Sequence, residues 1–146
     1  MGRSNLVWVV LGMFLWSGCQ PPPKQAAPPV VSAEARIQAV PDPDASKYEK
    51  GQYSKTWANP YLIVRKDAVA LLDLRNSEEH LLKPNEVLDA LAKLPLSAWP
   101  YGRVVAVEET TKGTDQDRID IRRNRAIVAG TLETAHVLIH WVPGTP

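Results

Sequence analysis

Three groups of side chains in this chain carry types and spacings that could do chemistry. His136 and His140 stand four apart, which on one helix face would present two imidazoles to a metal ion. The surrounding pattern predicts a helix end at His136 and a strand at His140, so the spacing loses that meaning. Asp115, Asp117 and Asp120 suggest a calcium loop, but the glycine and the terminal glutamate of an EF-hand are missing at the required positions. Loop solvation and a helix N-terminus account for these acids. Arg118, Arg122 and Arg125 have helical offsets of 0, 4 and 7, with Arg123 beside them. They form one basic stripe, either for an acidic partner or phosphate headgroups, or as a solvated face paired with nearby acids.

Other reactive types are scattered. Glu108 and Glu109 close a predicted strand, where many enzymes hold acid and base groups, but no partner stands at a recognisable spacing. His80 falls in a predicted loop. Ser54, Ser77 and Ser97 lack the G-x-S-x-G setting of a nucleophile elbow. There is no phosphate-binding loop and no dinucleotide fingerprint. No cofactor, no metal and no enzymatic activity are expected. Trp57 and Tyr61 flank Asn59-Pro60, as a docking patch or as packing at the domain entrance.

Elements must position these residues. Of 146 residues, 45% are hydrophobic and 23% charged, with 17 basic against 16 acidic side chains. That balance gives no expectation of nucleic-acid binding. The single cysteine, Cys19, excludes an internal disulfide framework. Seven of the 13 prolines fall between Pro21 and Pro43, so residues 19–56 read as a linker with a possible short helix near 32–38. Proline fixes φ and lacks a donor, so its runs favour an extended spacer.

Residues 57–146 read as a folded domain. Residues 61–65 and 69–74 are rich in β-branched and apolar types and predict a hairpin; residues 75–80 look like a polar loop. Pro84 suits a first helical turn, and Val87, Leu88, Leu91 and Leu94 make an apolar stripe that Pro95 ends. Residues 103–108 predict a third strand, apolar on both faces and therefore central. A second helix is predicted from about Asp117 or Asp120 to Thr134, with Ile121, Val128, Leu132 and Ala135 on one side. Residues 137–142 predict a fourth strand. The order β-β-α-β-α-β implies an α+β fold, a small two-layer sandwich with both helices on one sheet face. A parallel crossover joins the last two strands.

Residues 1–18 carry one positive charge, Arg3, then the apolar run 6–16, then Ser17 and Gly18. A charged start, a short apolar centre and a small-residue exit make a secretory signal peptide. Leu15-Trp16-Ser17-Gly18-Cys19 resembles the lipobox of bacterial lipoproteins, with Trp16 departing from the usual small aliphatic residue. That resemblance implies a diacylated Cys19 as the mature amino terminus and a membrane anchor facing the periplasm. Gln20 after the cysteine implies the outer membrane rather than the inner one.

The element order, carried by residues 61–74, 82–94, 103–107 and 124–142, resembles the periplasmic domain of ExbD/TolR-type proteins of energy-transducing complexes. That family has a transmembrane helix with a proton-carrying aspartate. Here the apolar run holds no carboxylate and the first acidic residue is Glu34, so only a binding or scaffolding role is implied. The expected function is a lipid-anchored envelope protein that binds another envelope protein, with Trp57, Tyr61, Arg118, Arg122 and Arg125 as candidate contacts. Two alternatives stay open: a small periplasmic enzyme using Glu108, Glu109 and His140, or a binder of envelope polymers or small ligands.

Overall fold

The computed structural model describes residues 31–49, 57–73 and 78–144. Cys19, the signal-like residues 1–18, the rest of the proline-rich stretch through residue 30, Ser54 and Ser77 lie outside the described residues. The fold is α+β. Five strands, β1 (Tyr61–Val64), β2 (Val69–Asp73), β3 (Glu78–Leu82), β4 (Val104–Glu109) and β5 (Leu138–Val142), form one sheet in the order β3-β2-β1-β4-β5. The first three make an antiparallel meander; β4 and β5 run parallel to β1. Leu62 sits opposite both Leu71 and Val107, which centres the apolar rows.

One sheet face carries Leu62, Val64, Val69, Leu71, Val105 and Val107, all buried. Helices α1 (Ala33–Gln38), α3 (Val87–Ala92) and α4 (Asp115–Thr134) lie over it. The two predicted stripes do this packing: Val87, Leu88 and Leu91 from α3, and Ile121, Val128, Leu132 and Ala135 from α4 are buried, and Leu94 packs partly buried beside them. Burial of a side chain of this size contributes about 1.5–3 kcal/mol. A 3₁₀ turn at Pro84–Glu86 leads into α3, and the Glu86 carboxylate accepts the Lys83 amide at 3.0 Å. Thr114 caps α4 reciprocally: its hydroxyl accepts the Asp117 amide at 3.2 Å, and the Asp117 carboxylate accepts the Thr114 amide at 2.8 Å.

Two expectations need correction. Residues 78–82, partly expected as a polar loop, are the edge strand β3. Glu78, Glu79, His80 and Leu81 are exposed, so no alternation of burial marks the strand; it is made by backbone pairing with β2. The expected linker also holds structure. α1 forms where a short helix was expected, and a second helix, α2 (Ala45–Tyr48), follows. Ile37, Val40 and Tyr48 are buried, so residues 31–49 pack as part of the domain.

Arg103 explains that packing. Its guanidinium donates to the carbonyls of Gln38 at 3.4 Å, Val40 at 3.0 Å and His136 at 2.9 Å, and to the Asp42 carboxylate. Gln38 adds a bond to the Ala135 carbonyl at 2.8 Å. The close approach requires glycine next door: Gly102 has φ +79°, and a Cβ there would collide with the Asp42 carbonyl. α4 ends in a left-handed residue, His136 (φ 55°), with the Val137 amide reaching back to Leu132 and the His136 amide to Glu133.

Two outcomes are expected in urea unfolding at pH 7. Arg103→Met loses about 3 kcal/mol, because several buried carbonyls lose their donor together, and Arg103→Lys recovers only part of it. His136→Gly gains about 1 kcal/mol, because glycine relieves the left-handed conformation.

Candidate functional site

The second sheet face turns Tyr61, Ile63, Val104, Ala106 and His140 away from α1, α3 and α4 and toward Tyr48 of α2. Aromatic side chains cover it. Trp57 stacks on His140 with centroids 5.0 Å apart and planes 14° apart, and packs edge-on against Tyr48 and Tyr101 at 5.9 and 5.3 Å. Asn59 ties this cover down. Its amide donates to the carbonyls of Gly102 and Val104, both at 2.7 Å, and its carbonyl accepts the Tyr101 amide at 2.8 Å. Trp57 and Tyr61 are 4% and 1% exposed, so neither is available as a docking patch. Packing at the domain entrance accounts for both.

Tyr61 donates to the Glu108 carboxylate at 2.6 Å. Burial first, and then this carboxylate, hold the Tyr61 hydroxyl well above the usual phenol range. Glu108 therefore faces the aromatic side. Glu109, one residue on, faces the helices and accepts from Arg125 at 2.8 Å. Glu108, Glu109 and His140 do not converge in one pocket. His136 and His140 sit on different elements, and among the described residues no three His, Cys, Asp or Glu side chains gather as a metal site. Asp117 caps α4 and pairs with Lys66 at 3.0 Å. The Thr114 amide first, and then Lys66, hold its carboxyl down to about 2. His80 and Asp73 line a shallow cavity of about 220 Å³ between Pro60, Leu72 and Leu94. Ser97 is exposed in a short 3₁₀ turn.

The arginine stripe lies elsewhere, along the side of α4 that overlooks β5. Arg125 stands 4.1 Å over the Trp141 ring. Arg118 and Arg122 line a groove of about 240 Å³ with Glu109, Thr110, Thr111 and Ile121, beyond the carboxyl end of β4. Arg118 pairs with Asp115, one turn back. Arg122 is exposed and has no ion pair among the described residues. The opposite side of α4 is fastened by Asn124, whose amide donates to the carbonyls of Arg65 and Lys66 at 2.9 and 3.0 Å.

β5 itself is an edge among the described residues. The Leu138 amide donates toward β4, to Arg103, at 3.0 Å. By alternation Ile139 and Trp141 turn their amides and carbonyls to the open side. Leu138 and Trp141 remain 46% and 39% exposed. Leu-Ile-His-Trp-Val contains no acidic residue, lysine or arginine, and proline appears only after its end, at Pro143. The other edge, β3, carries Glu78 and Glu79. Charges guard sheet edges against further pairing, so the two edges differ in kind. β5 thus presents an uncharged edge among the described residues, with Arg125 of the stripe over its Trp141 ring. Sequence reading found the stripe but not its neighbour, since strand order is a property of the fold.

Tyr61→Phe tests the aromatic face. The raised hydroxyl stabilises the fold fully below the unfolded phenol value near 10, and that stability is lost as pH rises above it. The variant is expected to lose about 1.5 kcal/mol at pH 7. The gap should narrow at pH 10.5 and above, read by urea unfolding at each pH.

No protein-family model, curated protein or solved structure matches this chain significantly.

Proposed function

We propose that the chain is a lipid-anchored protein of the bacterial cell envelope, facing the periplasm, whose α+β domain binds another envelope protein. The observation that carries the anchor is Leu15-Trp16-Ser17-Gly18-Cys19, which closes the apolar run 6–16 and ends on the cysteine. That run is shorter than the roughly 20 residues a helical span needs. Among the described residues no helix is long and apolar enough to cross a membrane. Lipid chains at Cys19 would supply the attachment, since each buried methylene contributes about 0.8 kcal/mol and two chains suffice for stable anchoring. The gap-free proline runs after Cys19 suit a spacer between bilayer and domain.

For binding, the supporting feature is the open, uncharged β5 edge, to which an extended segment of a partner can add as a strand. Backbone pairing gives such a complex its affinity, and side chains flanking the edge give it selectivity. The expected β-β-α-β-α-β order that resembles ExbD/TolR-type domains, to which the edge strand β3 is an addition, supports an accessory place in an energy-transducing complex, without the proton-carrying helix. Pairing leaves Glu108 to Tyr61 and Glu109 to Arg125, which favours binding over the enzymatic alternative.

Mass spectrometry of the mature protein tests the anchor. A first residue Cys19 carrying acyl mass is expected, and Cys19→Ser should release the protein from membranes. An unmodified Cys19 or an intact Met1 would remove the basis of this reading.

A further inference from the structure

We infer that the extended segment taken up by β5 is acidic on its helix-facing side, and that Arg122 and Arg118 read that acidity. The inference rests on the strand-addition reading above and names the chemistry of the partner. A strand added to β5 continues the sheet's alternation, so every second side chain points to the face that carries Ile139, Trp141 and α4. On that side Arg125 stands over Trp141, and Arg122 and Arg118 follow it one and two turns toward the helix start, lining the groove beyond the carboxyl end of β4. Arg125 is already engaged, by Glu109 at 2.8 Å and by the Trp141 ring. That pairing neutralises the carboxylate lining the groove. Among the described residues Arg118 is held by an exposed pair with Asp115, whose side chain is 87% exposed; such a pair exchanges at little cost. Arg122, exposed and without an ion pair among the described residues, is the cation with charge to offer.

Charge also chooses between the edges. β3 exposes Glu78 and Glu79, and Glu79 already holds Arg65 at 2.7 Å, so an acidic segment meets carboxylates at β3 where at β5 it meets the stripe. Specificity needs both the attraction and the repulsion. A neutral or basic segment would gain the backbone pairing at β5 without the arginines and would not be turned away from β3.

The test uses the full chain in neutral phosphatidylcholine nanodiscs, read by ¹⁵N NMR. The probes are two eight-residue peptides, one alternating valine and glutamate, the other valine and lysine. The glutamate peptide should shift and protect the Ile139 and Trp141 amides and bind about tenfold more tightly than the lysine peptide. Arg122→Glu should reverse that order while leaving the fold's other resonances in place. Equal binding of both peptides at β5 would overturn the acidic reading and leave strand addition standing. No response of Ile139 and Trp141 to either peptide would overturn both readings. A third arm replaces part of the lipid with phosphatidylglycerol. If the Arg118 and Arg122 resonances then shift without peptide and the glutamate peptide no longer binds, the stripe serves a lipid surface and the inference fails.

Discussion

The guanidinium of Arg103 is the contact on which the rest of this architecture depends. It stands just before β4, and its bonds go to three separate stretches of chain: the end of α1, Asp42 and the carbonyl of His136 after α4. Two helix ends with unpaired carbonyls would otherwise face one another in a buried place, and carbonyl ends of helices repel. One planar cation with five donors satisfies them together. The Asp42 arm of this set is the least valuable, because that carboxylate is 88% exposed. The buried carbonyls are the larger part, since a buried acceptor without a donor costs about 1–3 kcal/mol. This is why residues 31–49 belong to the domain rather than hanging from it. Their path along residues 101–103 is completed by backbone bonds, from Arg103 to the Pro41 carbonyl at 2.8 Å and from Asp44 to the Tyr101 carbonyl at 2.9 Å.

Fixing the end of α4 fixes what its outer face can do. The helix is held at three heights: by the Thr114 and Asp117 cap with Lys66 at its start, by Asn124 over the β1–β2 hairpin in its middle, and by the Arg103 cluster at its end. A helix so held cannot rotate about its axis. The arginine stripe therefore stays on the β5 side, and the Arg125 guanidinium stays over Trp141. Exposed ion pairs contribute little to stability, so the stripe's worth lies in where it is presented. Structural polar groups and candidate binding groups are thus separated on one helix, one set turned toward the hairpin and the other toward the open edge.

The parts of this fold that follow a period were legible in the sequence. β1, β2, β4, β5 and α4 all carry apolar residues at strand or helix spacing, and the centrality of β4 follows from its being apolar on both faces. β3 was hidden because an edge strand with solvent on most of its surface needs no apolar alternation. The membership of α1 was hidden because proline-rich surroundings dominate its composition, and one buried isoleucine, Ile37, makes no pattern. Asn59, Arg103 and Asn124 were invisible for a deeper reason. Each is a buried polar residue whose partners are mostly backbone groups, and backbone groups leave no trace in a sequence. Trp57 and Tyr61 show the converse: side chains that look like a docking patch are consumed by packing against His140 and Glu108. The arginine stripe was legible as a stripe, and its meaning waited on the strand order.

An open strand of five residues gives few backbone bonds, and fixing an extended partner segment costs about 1–2 kcal/mol per ordered residue. Such an edge alone would bind weakly. An anchored protein changes that balance. On the anchored reading, confinement of both partners to one envelope would turn encounter into a nearly intramolecular event, with effective concentrations reaching the millimolar range for suitable tethers. A proline-rich spacer helps when its reach, about 3.1 Å per extended residue, matches the gap it must span. Weak pairing at β5 would then be an asset, because a partner could leave as readily as it arrives. The same weakness leaves selectivity to the flanking charges. On the anchored reading, an uncharged edge under a basic stripe is therefore a stronger design than either feature alone: the edge holds any extended chain loosely, and the stripe decides which one stays.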